Sequence, residues 1–298
     1  MMKLHIKKTK QQNHGKKYFA IALLLLVTLV ISNVVFSPPE VKECKKNTES
    51  TLECACPTDS KYIDKKNIIL IDASSPIPKS KINDVNQLTH QLAQTDIGIF
   101  NWVFNGKRVD QTSIYVLNKD LPVNMIPVAS FCQLPPELAL DYFSSFTGAT
   151  IASMNQSLLD AVNTATSGIE YFISAKTSEI VKAVATVTSN SSNWKNGSTF
   201  ILVSDLYENS TTCGWFEKED VPNLNNISLT CKHQVEAISQ YMSSDKTTVA
   251  ICTIHSKDMK IGLKDFWDQV FYSANGFKPR YTCDPFEIAS RSQYIRNN

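Results

Sequence analysis

Apolar residues along this chain gather in short unbroken runs that end abruptly in polar ones. Ile68-Ile69-Leu70-Ile71 leads into Asp72-Ala73-Ser74-Ser75-Pro76, and Phe200-Ile201-Leu202-Val203 leads into Ser204-Asp205. A third run occupies residues 249–254. Short apolar runs bounded by turn residues read as strands buried on both faces, the pattern of a parallel sheet. Between them apolar positions recur every three or four residues, the period of an amphipathic helix. Ile82, Val85, Leu88 and Leu92 predict a helix over 79–94, and Met154, Leu158, Leu159, Val162, Ala165 and Ile169 mark one face of a helical stretch over 138–174. Further helices are predicted over 179–187, 231–242 and 263–274, the last packing Leu263, Phe266, Trp267, Val270 and Phe271. Residues 97–104 and 113–117 read as strands divided by the turn-prone Asn105-Gly106. The segment with Pro122, Pro127, Pro135 and Pro136 reads as a loop, since proline interrupts strand ladders and helix interiors alike. Alternating strands and helices predict an α/β fold: a doubly wound, mostly parallel sheet with helices on both faces.

One apolar run differs in kind. Residues 18–36 carry no charge, enough to cross a bilayer core as a helix. Lys3, Lys7, Lys8, Lys10, Lys16 and Lys17 precede it with no acid among them, whereas mixed charges come after it, which predicts an inward-facing N-terminus. The expected organisation is a basic cytoplasmic tail (1–17), a transmembrane signal anchor (18–36), a stalk (37–66), an α/β domain (67–284) and a C-terminal tail (285–298) outside the cytoplasm. A cleaved signal peptide is the competing reading.

The formal net charge of +2 hides this asymmetry: beyond the lysine tail, 24 basic side chains face 28 acidic ones. A main domain with that balance lacks the basic face that nucleic-acid binding requires. All eight cysteines lie beyond the apolar run, as expected in an oxidising compartment. Cys213 and Cys231, flanking one polar insertion, are the first pair expected to bond, while Cys252 within a strand reads as a simply buried thiol.

The chemistry lies at strand ends. Ligands of open α/β sheets sit beyond the carboxyl ends of strands. If the two Asp-ended strands are neighbours, Asp72 and Asp205 meet on one rim with Ser74, and Thr177 or Ser178, just before a helix, adds a hydroxyl. Adjacent carboxylates repel, a cation between them relieves the repulsion, and oxygen-only donors suit Mg²⁺ or Mn²⁺. The alternatives are structural: Asp72 and Ser74 as caps of the following helix or its turn, Thr177 or Ser178 as the N-cap of the helix near Glu179, and Asp205 as a loop acid with no ligand. Trp215 and Phe216, in the polar 207–230 excursion, are candidate anchors for a protein partner. His90, His233 and His255 have no catalytic company, and no Gly-x-Ser-x-Gly elbow occurs. The sequons at Asn155, Asn190, Asn196, Asn209 and Asn226 are no more than chance allows.

In this order of elements the chain resembles a von Willebrand factor type A domain over about residues 66 to 282, in particular a bacterial membrane-anchored subgroup with a diverged metal-ion-dependent adhesion site. That site uses an Asp-x-Ser-x-Ser loop after the first strand, a threonine from a central loop and an aspartate after the fourth strand. Asp72-Ala73-Ser74-Ser75-Pro76 matches the first two ligands and departs at the third, where Pro76 supplies no hydroxyl. Thr177 or Ser178 stands where the threonine would be, and Asp205 where the fourth-strand acid would be. The resemblance implies a non-enzymatic, membrane-anchored, periplasmic or extracellular module that binds a protein partner. A metal-free structural component of an envelope assembly and a metal-assisted phosphohydrolase are the alternatives.

Overall fold

The computed structural model describes residues 18–19, 21–27, 45–46, 52–54, 56–74, 77–93, 99–117, 127–133, 178–190, 197–214, 224–242, 247–254, 262–276, 278–284 and 287–288. The helix expected over 138–174 lies outside these residues.

Among the described residues eight strands form one sheet: β1 (Lys45–Lys46), β2 (Leu52–Cys54), β3 (Ile63–Asp72), β4 (Val109–Leu117), β5 (Ala129–Cys132), β6 (Thr199–Ser204), β7 (Thr248–Thr253) and β8 (Arg280–Tyr281). Their order across the sheet is β1-β2-β5-β4-β3-β6-β7-β8. The pairings are parallel except β1 with β2 and β4 with β5. The mostly parallel α/β sheet expected from the apolar runs is therefore present. Counted from β3 as the first strand of the core, the order is 3-2-1-4-5-6, which reverses between β3 and β6. That reversal is the topological switch point of a doubly wound sheet.

The helices are α1 (Lys79–Ala93), α2 (Ile99–Phe104), α3 (Ile180–Asn190), α4 (Leu229–Met242) and α5 (Leu263–Asn275). Because strand side chains alternate between faces, the central strands feed two cores. Ile68, Leu70, Phe200 and Leu202 pack with Val184 of α3, Ile238 of α4 and Phe271 of α5. Ile69, Ile71, Ile201 and Val203 pack with Val85, Leu88 and Leu92 of α1. On the first face Trp267 stacks on Phe271, and Phe266 meets Trp267 edge-on, ring centroids 5.8 and 5.7 Å apart. Such pairs add to the burial term through ring quadrupoles.

Several local expectations are corrected. Residues 97–104 were expected as a strand, yet Ile99–Phe104 is helical, with Trp102 fully buried and Phe104 exposed. Asn105-Gly106 ends this helix instead of dividing two strands: Gly106 and Lys107 both adopt positive φ, and the Lys107 N–H donates to the Trp102 carbonyl. A left-handed residue past a helix end satisfies its last carbonyls, and glycine adopts it without a Cβ clash. The proline-rich segment contains β5, whose four residues lie between Pro127 and Pro135, so no ladder donor is lost. Cys252 is no free thiol but bonds Cys283, tying β7 to the chain beyond β8. Cys213 bonds Cys231 as expected, and Cys56 bonds Cys132. Within the segment read as stalk, β1 and β2 join the sheet, and β3 begins at Ile63.

Among the described residues no helix is long and apolar enough to cross a membrane. The described parts of the apolar run, residues 18–19 and 21–27, are helical, and their large apolar side chains are exposed.

Candidate functional site

β3 and β6 run side by side and parallel, from Asn67 opposite Thr199 to Ile71 opposite Val203. One further step in this register puts Asp72 beside Ser204, so both strands release their polar ends at the same rim, at the switch point. The contact is direct: the Ser204 hydroxyl donates to Asp72 Oδ2 at 2.8 Å. Asp72 Oδ1 accepts the Ser74 N–H at 3.0 Å, a tight local turn of the kind aspartate favours. The Ser178 hydroxyl stands 3.5 and 3.4 Å from the two oxygens, long for hydroxyl–carboxylate hydrogen bonds. Asp205 repeats the Asp72 turn, its Oδ1 accepting the Tyr207 N–H at 3.0 Å.

Asp72 is almost wholly buried. Burial pushes its carboxyl up to about 6; the Asp205 carboxylate adds to the rise, while hydrogen bonds from Ser74 and Ser204 oppose it. Asp205 directly follows Ser204, whose hydroxyl bonds Asp72, which puts it on the same rim. Of the predicted site residues, Asp72, Ser74, Ser178 and Asp205 are thus gathered at one place. Thr177, Ser75, Pro76, Trp215 and Phe216 lie outside the described residues.

Two members of the cluster were missed. Ser204 bridges the strands, its oxygen also accepting the Leu206 N–H at 2.8 Å. Glu208 has no exposed surface. Its Oε2 accepts the Val181 N–H, in the first turn of α3, at 2.9 Å, and its Oε1 meets no hydrogen-bond geometry among the described residues. Burial pushes Glu208 up to about 7; the Ser210 hydroxyl and the Val181 and Ile180 amides pull it down, while Asp72 adds to the rise. A carboxylate at a helix N-terminus completes orphan amides and meets the positive end of the dipole. Ser204 carried a signal, the step from an apolar run to a hydroxyl. Glu208 carried none, because α3 lies far from it in sequence.

Backbone contacts lock the two loops together. Ser178 and Asn209 exchange N–H···O bonds of 2.9 Å in both directions. Leu206 is left-handed (φ 68°), and its carbonyl accepts the Trp267 indole N–H at 3.3 Å.

No lysine or arginine among the described residues forms an ion pair with Asp72 or Glu208. Among the same residues no three His, Cys, Asp or Glu side chains converge on one ion position. The side-chain donors at the rim, the Asp72 carboxylate with the Ser204 and Ser178 hydroxyls against it and the Asp205 carboxylate one residue past Ser204, are hard oxygens. Such a set fits Mg²⁺, which takes one or two carboxylates and keeps several waters.

Fold and rim together define a class: a doubly wound α/β domain with a cluster of carboxylates and hydroxyls at its switch point. Compared with known proteins, the chain matches no family model and no curated sequence.

Proposed function

We propose that this chain is a membrane-anchored, extracytoplasmic interaction module of the von Willebrand factor type A kind, binding a protein partner at the rim formed by β3 and β6. The observation that carries the reading is the buried Asp72 carboxylate at the rim it shares with Asp205, approached by the Ser204 and Ser178 hydroxyls and with no basic partner for Asp72 among the described residues. Two acids in such surroundings gain from a divalent cation, which supplies a charge that the described side chains do not give Asp72. Mg²⁺ or Mn²⁺, held by Asp72 and Asp205 with Ser74 and Ser178, would provide a Lewis-acidic point for an acid of the partner. Thr177 would add a donor, and Trp215 and Phe216 would anchor the contact beside it. The missing hydroxyl at Pro76 leaves one more position to water. The exposed apolar helix within residues 18–36, with its lysine cluster, supports the anchor and the outward placement of the domain.

A metal-free scaffold is the second reading, favoured because both Asp72 oxygens already accept hydrogen bonds. Thermal unfolding with added Mg²⁺ or Mn²⁺ separates the two. A cation that binds only the folded state stabilises it by about 2.7 kcal/mol at a hundredfold excess over its dissociation constant. This gain is expected for the wild type and lost in Asp72→Ala and Asp205→Ala. A wild-type melting temperature indifferent to both ions refutes cation binding and leaves the scaffold.

A further inference from the structure

We infer that Glu208 is the positioning residue of the rim, holding the loop after β6 against the N-terminus of α3 so that Ser178 faces the two aspartates; this role rests on cation binding at the rim. Ser178 precedes α3 and Asp205 comes after β6, so the donors come from segments that nothing in their own sequence holds in register. What joins them is local to Glu208. Its carboxylate takes the Val181 N–H at 2.9 Å, and the next residue, Asn209, is bonded both ways to Ser178. On the other side Leu206 is held in a left-handed turn by its contacts with Ser204 and Trp267. Residues 206–209 therefore form a clasp whose central acid is wholly buried. Burying a carboxylate is costly unless it is hydrogen-bonded, and here the bond it makes is the one that ties the loop to α3. Groups that orient ligands from behind typically govern metal affinity by 10- to 100-fold.

The test uses the full chain with Mn²⁺ as probe, titrated by electron paramagnetic resonance, and amide exchange at Val181 and Asn209 measured without metal. Glu208→Gln keeps a carbonyl acceptor for the Val181 amide and should bind Mn²⁺ within about threefold of wild type. Glu208→Ala removes the acceptor and should weaken binding about 10- to 100-fold, with faster exchange at Val181 and Asn209. Unchanged Mn²⁺ affinity in the folded Glu208→Ala protein overturns the inference, as does equal weakening in both variants, which would mark Glu208 as a charge donor. If the wild type binds no Mn²⁺, the cation reading falls and with it the positioning role. The exchange data then still report whether the clasp exists: unaltered protection in Glu208→Ala shows that it does not.

Discussion

The two ends of the central strands treat charge in opposite ways. At their amino-terminal ends, Lys61 pairs with Asp59 at 2.7 Å and Arg108 with Asp64 at 3.6 Å, all four side chains well exposed. At their carboxyl ends, Asp72 and Glu208 are buried and form no ion pair among the described residues. Exposed pairs gain little, because water screens them and long side chains must be immobilised. Buried carboxylates without a counter-charge weaken the fold whenever they ionise. One end is thus built as a solvated scaffold, and the other keeps an electrostatic debt that a bound cation or a proton can settle.

The largest expected effect tests how the scaffold end is held. Cys56–Cys132 closes a separation of 76 residues between the chain entering β3 and the end of β5. Replacing both by serine should cost about 4 kcal/mol on the chain-entropy view, measured by denaturant unfolding, with Mn²⁺ affinity at the rim unchanged. A fall in affinity in the still-folded variant would show that the two ends are coupled.

The next effect is the pH dependence of the rim. Asp72 and Glu208 hold their protons more tightly folded than unfolded, so the folded state binds more protons between their ordinary values and about 6 and 7. Stability therefore falls as pH rises through that window, by on the order of 3 kcal/mol for each group taken alone. Melting in chelator should accordingly give a lower midpoint at pH 7.5 than at pH 4.5, and Asp72→Asn should flatten the slope. Stability that rises over this interval would contradict the burial of these acids.

Cation and proton compete for the same oxygens, so the Mg²⁺-induced gain, about 2.7 kcal/mol at a hundredfold excess, should shrink between pH 7.5 and pH 5. An equal gain at both pH values would place the ion elsewhere. The smallest effect is the control at the other end: Asp59→Ala should leave the melting temperature and the Mn²⁺ affinity unchanged.

Much of the fold was legible because the strands are short apolar blocks that only a sheet covered on both sides can bury. Residues 68–71 and 200–203 announced β3 and β6, and the three-to-four spacing announced α1, α4 and α5. Misreadings occurred where local pattern is ambiguous. Ile99–Phe104 is as apolar as a strand, and its helical state is set by burying Trp102 and by the left-handed turn after Phe104. β5 hid between prolines because it is only four residues long. The aspartates at the rim could be read from the polar residues that end each apolar run, but Ser204 as a bridge and Glu208 as a clasp could not.

By itself, the sequence determined which strands are buried on both faces and which acids and hydroxyls stand at their ends, because burial and period are local properties. Only the tertiary structure decided that β3 and β6 are neighbours, that Asp72 is desolvated beside Asp205, and that Glu208 reaches α3. Those facts depend on the order of strands in the sheet and on contacts between residues more than a hundred positions apart in one case and 27 in the other, which no local spacing encodes.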